Sequence, residues 1–402
     1  MSTGRAHTQR KIQQHIANPL PSLSESPMPI PTPTLLPIPA DIVSLADYER
    51  HAQTRLDANA WAYFSGGAGD EHTLRANAQA WQTLQLAPRV LRELAHGNTQ
   101  TQLLGQTLAH PMLAAPMAHQ LLAQESGEIG MACACAAMGA GMVVSTQASL
   151  PLDAIAANYL QDPAHGPLWF QLYLQQDRAF TQDLIARVQA AGYQALVVTV
   201  DAPTSGVRDR ERRARFQLPA GISSVNLAGM QRPVPAQLTP ADSPLFDDLL
   251  RHAPTWEDIA WLQSNTRLPI ILKGIAHPLD AQQAVAAGAS AIICSNHGGR
   301  TLDTMPATAQ LLPGVVAAVN GAVPVLVDGG IRRGTDVLKA LALGATAVLV
   351  GRPLIYGLAT AGAAGVAHVL RLLRDEFEAA MALTGCRSLA DISPSLLFEA
   401  RR

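Results

Sequence analysis

The sequence is poor in aromatic residues, poor in cysteine and almost without net charge, and each shortage removes a class of explanation. Phe, Trp and Tyr make up 4% of its 402 residues, while alanine abounds, which suits helices packed closely on a sheet. The formal charge is −2, so the electrostatics give no case for nucleic acid or an acidic membrane surface as a partner. The four cysteines, Cys133, Cys135, Cys294 and Cys386, form no CxxC pair and show no metal-ligand spacing. They read as small buried apolar residues in a reducing compartment, and no metal is expected. No apolar core of signal-peptide length opens the chain and no stretch reads as spanning a bilayer, so the expected location is the cytoplasm.

Proline is plentiful, and much of it is concentrated. The run NPLPSLSESPMPIPTPTLLPIP cannot form a helix or a central strand, so residues 1–40 read as a flexible tail and 41–402 as one domain. SLADYERHAQTRLDANAWAYFSGGAGD then reads as one capped helix broken at Gly66-Gly67. Between about 110 and 352, eight short apolar runs read as strands: PMLAAPMA, GMVVSTQA, PLWFQLYL, ALVVTVDAP, PIILKGI, AIICSNHGG, PVLVDGG and AVLVGRP. Most are continuous rather than alternating, as expected of strands buried on both faces. Helical patterns such as TQDLIARVQAAGY and GTDVLKALALGA lie between them, several ending in glycine. Strand and helix alternating eight times predicts a closed eightfold β/α barrel, the TIM barrel, rather than an open doubly wound sheet. One connection, about 217–255 after the fourth strand, is too long for a plain turn and is expected to be a lid over the catalytic face.

Active sites of such barrels sit at the C-terminal ends of the strands, and this chain loads those ends with polar groups. Strand three ends with Gln171 and Tyr173, strand four with Thr199 and Asp201, followed by Arg208. Strand five carries Lys273, strand six Ser295, His297 and Arg300, strand seven Asp328, and strand eight Gly351 and Arg352. A lysine flanked by apolar residues points inward and needs an anionic partner. The turns VDGGIRRGTD and VLVGRP bring backbone N–H groups to a helix start, a phosphate-binding arrangement, with Arg332 or Arg352 to add a charge-assisted contact.

In order along the chain, WFQLY, TVDAP..G.R, ILKGI, SNHGGRTLD, DGGIRRGTDVLKALALGA and GRP resemble the FMN-dependent 2-hydroxy-acid oxidases and dehydrogenases. The similarity runs from about Ser44 to MALTGCRSL near the C-terminus. The resemblance implies FMN at the strand ends. Pro116, Met117, Ala118, Ser145, Gln171, Thr199, Lys273 and Ser295 would surround the flavin, and Asp328, Gly329, Gly330, Arg332, Gly351 and Arg352 would hold its phosphate end. It implies His297 as catalytic base with Asp201 beside it, Arg300 and Tyr63 on the substrate carboxylate, Tyr173 near the hydroxyl, and Arg208 closing the site. It also implies a homo-oligomer, a tetramer. At Gln147, where several relatives carry an aromatic residue, this chain has an amide.

The chemistry fits that allocation. Oxidising a 2-hydroxy acid removes two electrons and two protons, and an imidazole with a pKa of about 6.5 suits the proton. A guanidinium fork matches a carboxylate as an ammonium does not. The expected activity is oxidation of an (S)-2-hydroxy acid to the 2-oxo acid, with dioxygen accepting the electrons to give hydrogen peroxide. A dehydrogenase or a lactate 2-monooxygenase-like enzyme are alternatives within the family. Outside it stand an FMN-dependent isomerase and a non-catalytic FMN-binding barrel.

Overall fold

The eight apolar runs become the eight strands of a closed parallel barrel in the computed structural model, which describes residues 35–231 and 235–398. They are β1 (Met112–Ala114), β2 (Gly141–Ser145), β3 (Leu168–Leu172), β4 (Ala195–Thr199), β5 (Ile270–Ile275), β6 (Ala291–Cys294), β7 (Val325–Val327) and β8 (Ala347–Val350). Neighbours pair in chain order, and β8 closes on β1 in the register Val348↔Met112, Leu349↔Leu113, Val350↔Ala114.

Alternation along each strand divides the core in two. Leu113, Val143, Trp169, Ala195, Val197, Ile271, Ala291, Ile293, Leu326, Ala347 and Leu349 point inward and pack together. A hairpin, Thr101–Leu103 with Gln106–Leu108, adds Leu103 and Leu108 to this inner cluster. The residues between them, such as Met142, Phe170, Leu196 and Ile292, face the surrounding helices. Each large aliphatic or aromatic side chain buried this way contributes roughly 1.5–3 kcal/mol. Because side chains repeat every two residues along a strand, the inward rows continue from Val143 to Ser145, Trp169 to Gln171, Val197 to Thr199 and Ile271 to Lys273. Ile293 leads likewise to Ser295, and Leu326 to Asp328. The apolar filling therefore gives way to a polar crown at one mouth.

The crown is shaped by a bulge in β5. Its register against β6 shifts between Lys273 and Ile275, and Gly274 between them has φ +106°. A Cβ there would lie 2.5 Å from the Asp201 side chain, so glycine is what lets β4 and β5 present Asp201 and Lys273 side by side.

Several expectations change. The segment 44–70 holds two helices before its glycines, not one: α1 (Leu45–Arg55) and α2 (Ala58–Ser65). Asp57 separates them because its carboxylate caps α2, accepting from Ala60 N. A third helix, α3 (His72–Thr83), follows the glycines. Of the proline-rich segment, residues 1–34 lie outside the described residues, while Leu35 bridges Gly362. The long connection is partly pinned: Asn226 donates to Leu150 O at 3.1 Å and accepts from Leu152 N at 2.9 Å. Residues 232–234 of that connection lie outside the described residues. Cys133 is half-buried rather than buried, and all four cysteines are free.

One expectation fails on length. Among the described residues, the helix α4 (Arg352–Thr384) is long and apolar enough to cross a membrane by composition alone. Most of it is buried, it breaks at Ala361 and Gly362, and it packs on α1. Its apolar length serves the barrel's outer core.

Candidate active site

His297 follows β6 in the left-handed region, with φ +56°. That conformation is uncommon for a residue with a side chain, and Ser295 helps hold it by accepting the His297 N–H at 3.0 Å. The imidazole is half-buried, with Nδ1 2.8 Å from Asp201 Oδ1 and Nε2 3.5 Å from the Tyr173 hydroxyl. With a carboxylate accepting at Nδ1, the proton is assigned there and Nε2 keeps its lone pair. Burial lowers the His297 pKa below its ordinary value; Asp201 opposes this, while Lys273 and Arg300 add to it. Burial acts to raise Asp201, but its hydrogen bond to His297 and the nearby positive groups bring it below the usual carboxylate range. The pair at neutral pH is a neutral base beside an anion.

Lys273 rises inside the barrel, only 6% exposed, and finds the anionic partner its burial requires: Asp328 Oδ2 at 3.0 Å. It also donates to Ser295 Oγ at 3.0 Å. Desolvation pushes its pKa down, yet Asp328 and Asp201 push harder, and the net direction is up. The lysine stays charged. Ser295, expected among the flavin contacts, uses its hydroxyl to link Lys273 to the His297 backbone.

Arg300 and Tyr63, both expected on the substrate carboxylate, lie together: the guanidinium is over the Tyr63 ring, 5.1 Å from its centroid. Its donors are more committed than the sequence suggested. Nη1 reaches Tyr63 O at 2.7 Å and Gly66 O at 2.9 Å, and Nη2 reaches Glu211 Oε1 at 3.0 Å. Arg208 also reaches Glu211 Oε1, at 3.3 Å, and donates from Nε to Arg300 O at 3.4 Å. Glu211 was missed, although its spacing three residues after Arg208 on a short helix was the available signal. Phe216 was missed as well; it stacks on Tyr63 with centroids 4.7 Å apart. Nothing in the local sequence pointed to that contact.

Ser145, Gln171, Thr199, Lys273, Ser295 and Asp328, all expected around FMN, stand on the inward rows at one mouth, and two features bear on FMN's fit there. Gln171 accepts from Ser145 Oγ at 3.1 Å and from Thr146 N at 3.3 Å, leaving its buried Nε2 without a partner among the described residues. Asp328 Oδ1 and Asp201 Oδ2 are buried and unpartnered as well. A buried amide donor without an acceptor is costly, and a flavin's ring carbonyl would relieve it. Gly329 and Gly330, with φ +89° and +86°, turn the chain after Asp328 where any side chain would collide with its surroundings. Two contiguous glycines of this kind free backbone N–H groups for a phosphate. The donor set fits FMN.

Pro116, Met117 and Ala118 form the turn after β1, held where Gln120 donates to Met117 O at 3.2 Å. Thr199 ends β4, paired with Lys273 across the ladder. Arg332 donates to the adjacent Ile331 carbonyl at 3.0 Å. Arg352 uses three donors on the carbonyls of Phe64, Gly298 and Gly66, at 3.0, 3.0 and 2.9 Å, and burial brings its pKa to about 10. It ties α2 to the His297 turn, a structural duty the phosphate reading alone does not include. A cavity of about 640 Å³ lined by Gln175, Arg178, His252 and Asp258 lies along the segment after Tyr173 and includes none of the groups above.

Comparison with known proteins agrees with this geometry. The family model described as FMN-dependent dehydrogenase matches residues 52–399. An L-lactate oxidase of Alicycliphilus denitrificans is 47% identical over 361 residues, covering 90% of this chain and 97% of its own. Glycolate oxidase 1 of Zea mays is 42% identical, covering 88% of this chain and 95% of its own. A crystal structure of mandelate oxidase with (S)-2-phenylpropionate superposes with a TM-score of 0.79 at 41% identity, covering 89% of this chain and 98% of that one.

Proposed function

The chain belongs to the FMN-dependent dehydrogenase family, and on that premise we propose that it oxidises (S)-2-hydroxy acids to 2-oxo acids and passes the electrons to dioxygen. Lactate, glycolate and mandelate, named in its relatives and structural neighbours, are all 2-hydroxy carboxylates. The observation that carries the proposal is the His297 imidazole, tied at Nδ1 to Asp201 and left with Nε2 as the nitrogen able to take a proton.

Gln171, Lys273 and the Gly329-Gly330 turn would hold FMN, which would supply a two-electron acceptor. The chain's own groups do the rest. Arg300 and Arg208 sit where a substrate carboxylate would exchange for the Glu211 contact, with the Tyr63 ring facing Arg300. Such an anchored carboxylate fixes the C2 carbon in one pose, and orientation of this kind is a large part of enzymatic rate. His297 Nε2 takes a proton from the substrate, and Asp201 stabilises the imidazolium that results. Tyr173 hydrogen-bonds at the same nitrogen's face and stays protonated, because burial raises its pKa. Lys273 keeps its positive charge at the barrel mouth, where it would stabilise negative charge developing on bound FMN. Over the whole reaction the hydroxy acid and dioxygen give the oxo acid and hydrogen peroxide.

Oxygen uptake tests this reading. Purified yellow protein given L-lactate is expected to consume dioxygen and release peroxide in equal amount. Dye reduction without oxygen uptake would make it a dehydrogenase, and a shortened acid with carbon dioxide a monooxygenase. Inertness toward every 2-hydroxy acid under both conditions would overturn the proposal.

A further inference from the structure

Helix α3 carries a buried amide between two turns that the proposed function needs. Asn77 Nδ2 donates to Asn296 Oδ1 at 2.9 Å, and Asn296 Nδ2 donates back to Asn77 Oδ1 at 2.8 Å. The two residues are 2% and 0% exposed, so no water competes for these bonds. Each amide does more than pair. Asn296 also reaches Pro306 O at 3.1 Å, and Asn77 Oδ1 also accepts from Thr308 N at 3.2 Å.

The contacts lead in both directions. On one side, Asn296 immediately precedes His297, whose left-handed backbone needs restraint from its neighbours, and Gly299 N closes the turn on Asn296 O at 2.9 Å. On the other, Thr308 Oγ1 donates to Gly329 O at 3.1 Å, and Trp81 Nε1, one turn along α3, donates to the same carbonyl at 2.8 Å. The backbone of α3 presses on the glycines too: a Cβ on Gly330 would lie 2.2 Å from Asn77 O.

We propose that Asn77 is a positioning residue: its reciprocal amide pair with Asn296 holds the His297 turn and keeps it in register with the Gly329-Gly330 turn. The first half rests on the proposed function, since it takes His297 as the base. The second half, the bridge to the glycine turn, does not. The Asn77 amide hydrogen-bonds to none of the groups assigned to the reaction; it acts through Asn296 and Thr308, while its backbone packs on the glycine turn.

The test is a double-mutant cycle on the FMN-loaded full-length chain, with Asn77→Ala, Asn296→Ala and the double variant. Three quantities are read: the anaerobic rate of flavin reduction by L-lactate, its pH dependence, and the FMN dissociation constant from flavin fluorescence. Misplacement by about an ångström costs on the order of 10²-fold in rate, so each single variant is expected to slow reduction by ~10–100-fold. Each is also expected to weaken FMN several-fold and to move the acid limb of the rate upward as His297 loses its enclosure. The double variant is expected to be no worse than the worse single, because either deletion breaks the same pair. Singles that lose thermal stability but keep wild-type rate, pH limb and FMN affinity would overturn the proposal, as would losses that multiply. If Asn77→Ala does not fold, Asn77→Ser, which keeps a short acceptor, enters the cycle in its place. Should the wild-type protein reduce with no 2-hydroxy acid, the proposed function fails, and the FMN-affinity cycle alone still decides the bridge.

Discussion

His297 Nδ1 and Asp201 Oδ1 face each other at 2.8 Å across the barrel mouth, although 96 positions separate them in the chain. The contact decides which nitrogen of the base is free. It also sets two opposing influences on its pKa: burial lowers it and Asp201 raises it, with Lys273 and Arg300 lowering it and the net direction down. As the proposed base, His297 works in its neutral form, so activity is expected to be lost as pH falls through that lowered pKa. The acid limb of kcat/KM, which reports the free enzyme, is therefore expected below pH ~6.5, the ordinary histidine value. Asp201→Asn removes the raising influence, so the limb moves lower still while the rate drops. A pH series of kcat/KM on both proteins checks this; a limb above the ordinary value would contradict it.

The same shift has a sign for stability. The unfolded chain takes the proton near pH ~6.5, while folded His297 resists it. Its contribution to stability is thus lost as pH falls from that value toward the folded pKa. Urea midpoints across this window are expected to fall with pH less steeply in His297→Ala than in the wild type.

Arg300→Lys keeps the charge and loses the fork. A charge-assisted hydrogen bond is worth about 1.5–3 kcal/mol, so KM for L-lactate is expected to rise by roughly one to two orders of magnitude. FMN affinity is expected to stay within a factor of about two. Equal loss of both would mark Arg300 as a framework residue, consistent with its bonds to Tyr63 O and Gly66 O.

Lys273→Met leaves Asp328 buried without its cation, and Asp328 Oδ1 already lacks a partner among the described residues. Breaking one side of a buried pair costs about 3–5 kcal/mol. The apoprotein is expected to lose stability on that scale in urea, and adding Asp328→Asn is expected to recover part of it. Unchanged stability in the single variant would contradict the pairing.

Much of this architecture was legible before any coordinates. Continuous apolar runs such as ALVV and PIIL announce buried parallel strands, and the same period-2 rows that fill the barrel place Gln171, Thr199, Lys273 and Asp328 at one mouth. What the sequence did not yield were contacts between distant segments. Asp57 ended a helix earlier than the glycines did, because a side-chain cap outranked them. Glu211 sits on both Arg208 and Arg300, and Phe216 stacks on Tyr63, by virtue of where the fourth connection crosses the barrel mouth. Asn77 looks like any polar helical residue until Asn296 is brought against it. The family's motifs supplied roles for the crown, but not the duties of Ser295 and Arg352 in holding it together.

The most direct measurement is anaerobic mixing of the FMN-loaded protein with L-lactate and with D-lactate, following the loss of flavin absorbance in the wild type and in His297→Ala. The expected result is rapid bleaching by the L enantiomer alone, slowed by about 10²–10⁴-fold when the imidazole is removed, with the oxidised flavin spectrum of the variant otherwise intact. Bleaching at an undiminished rate in His297→Ala would contradict the account.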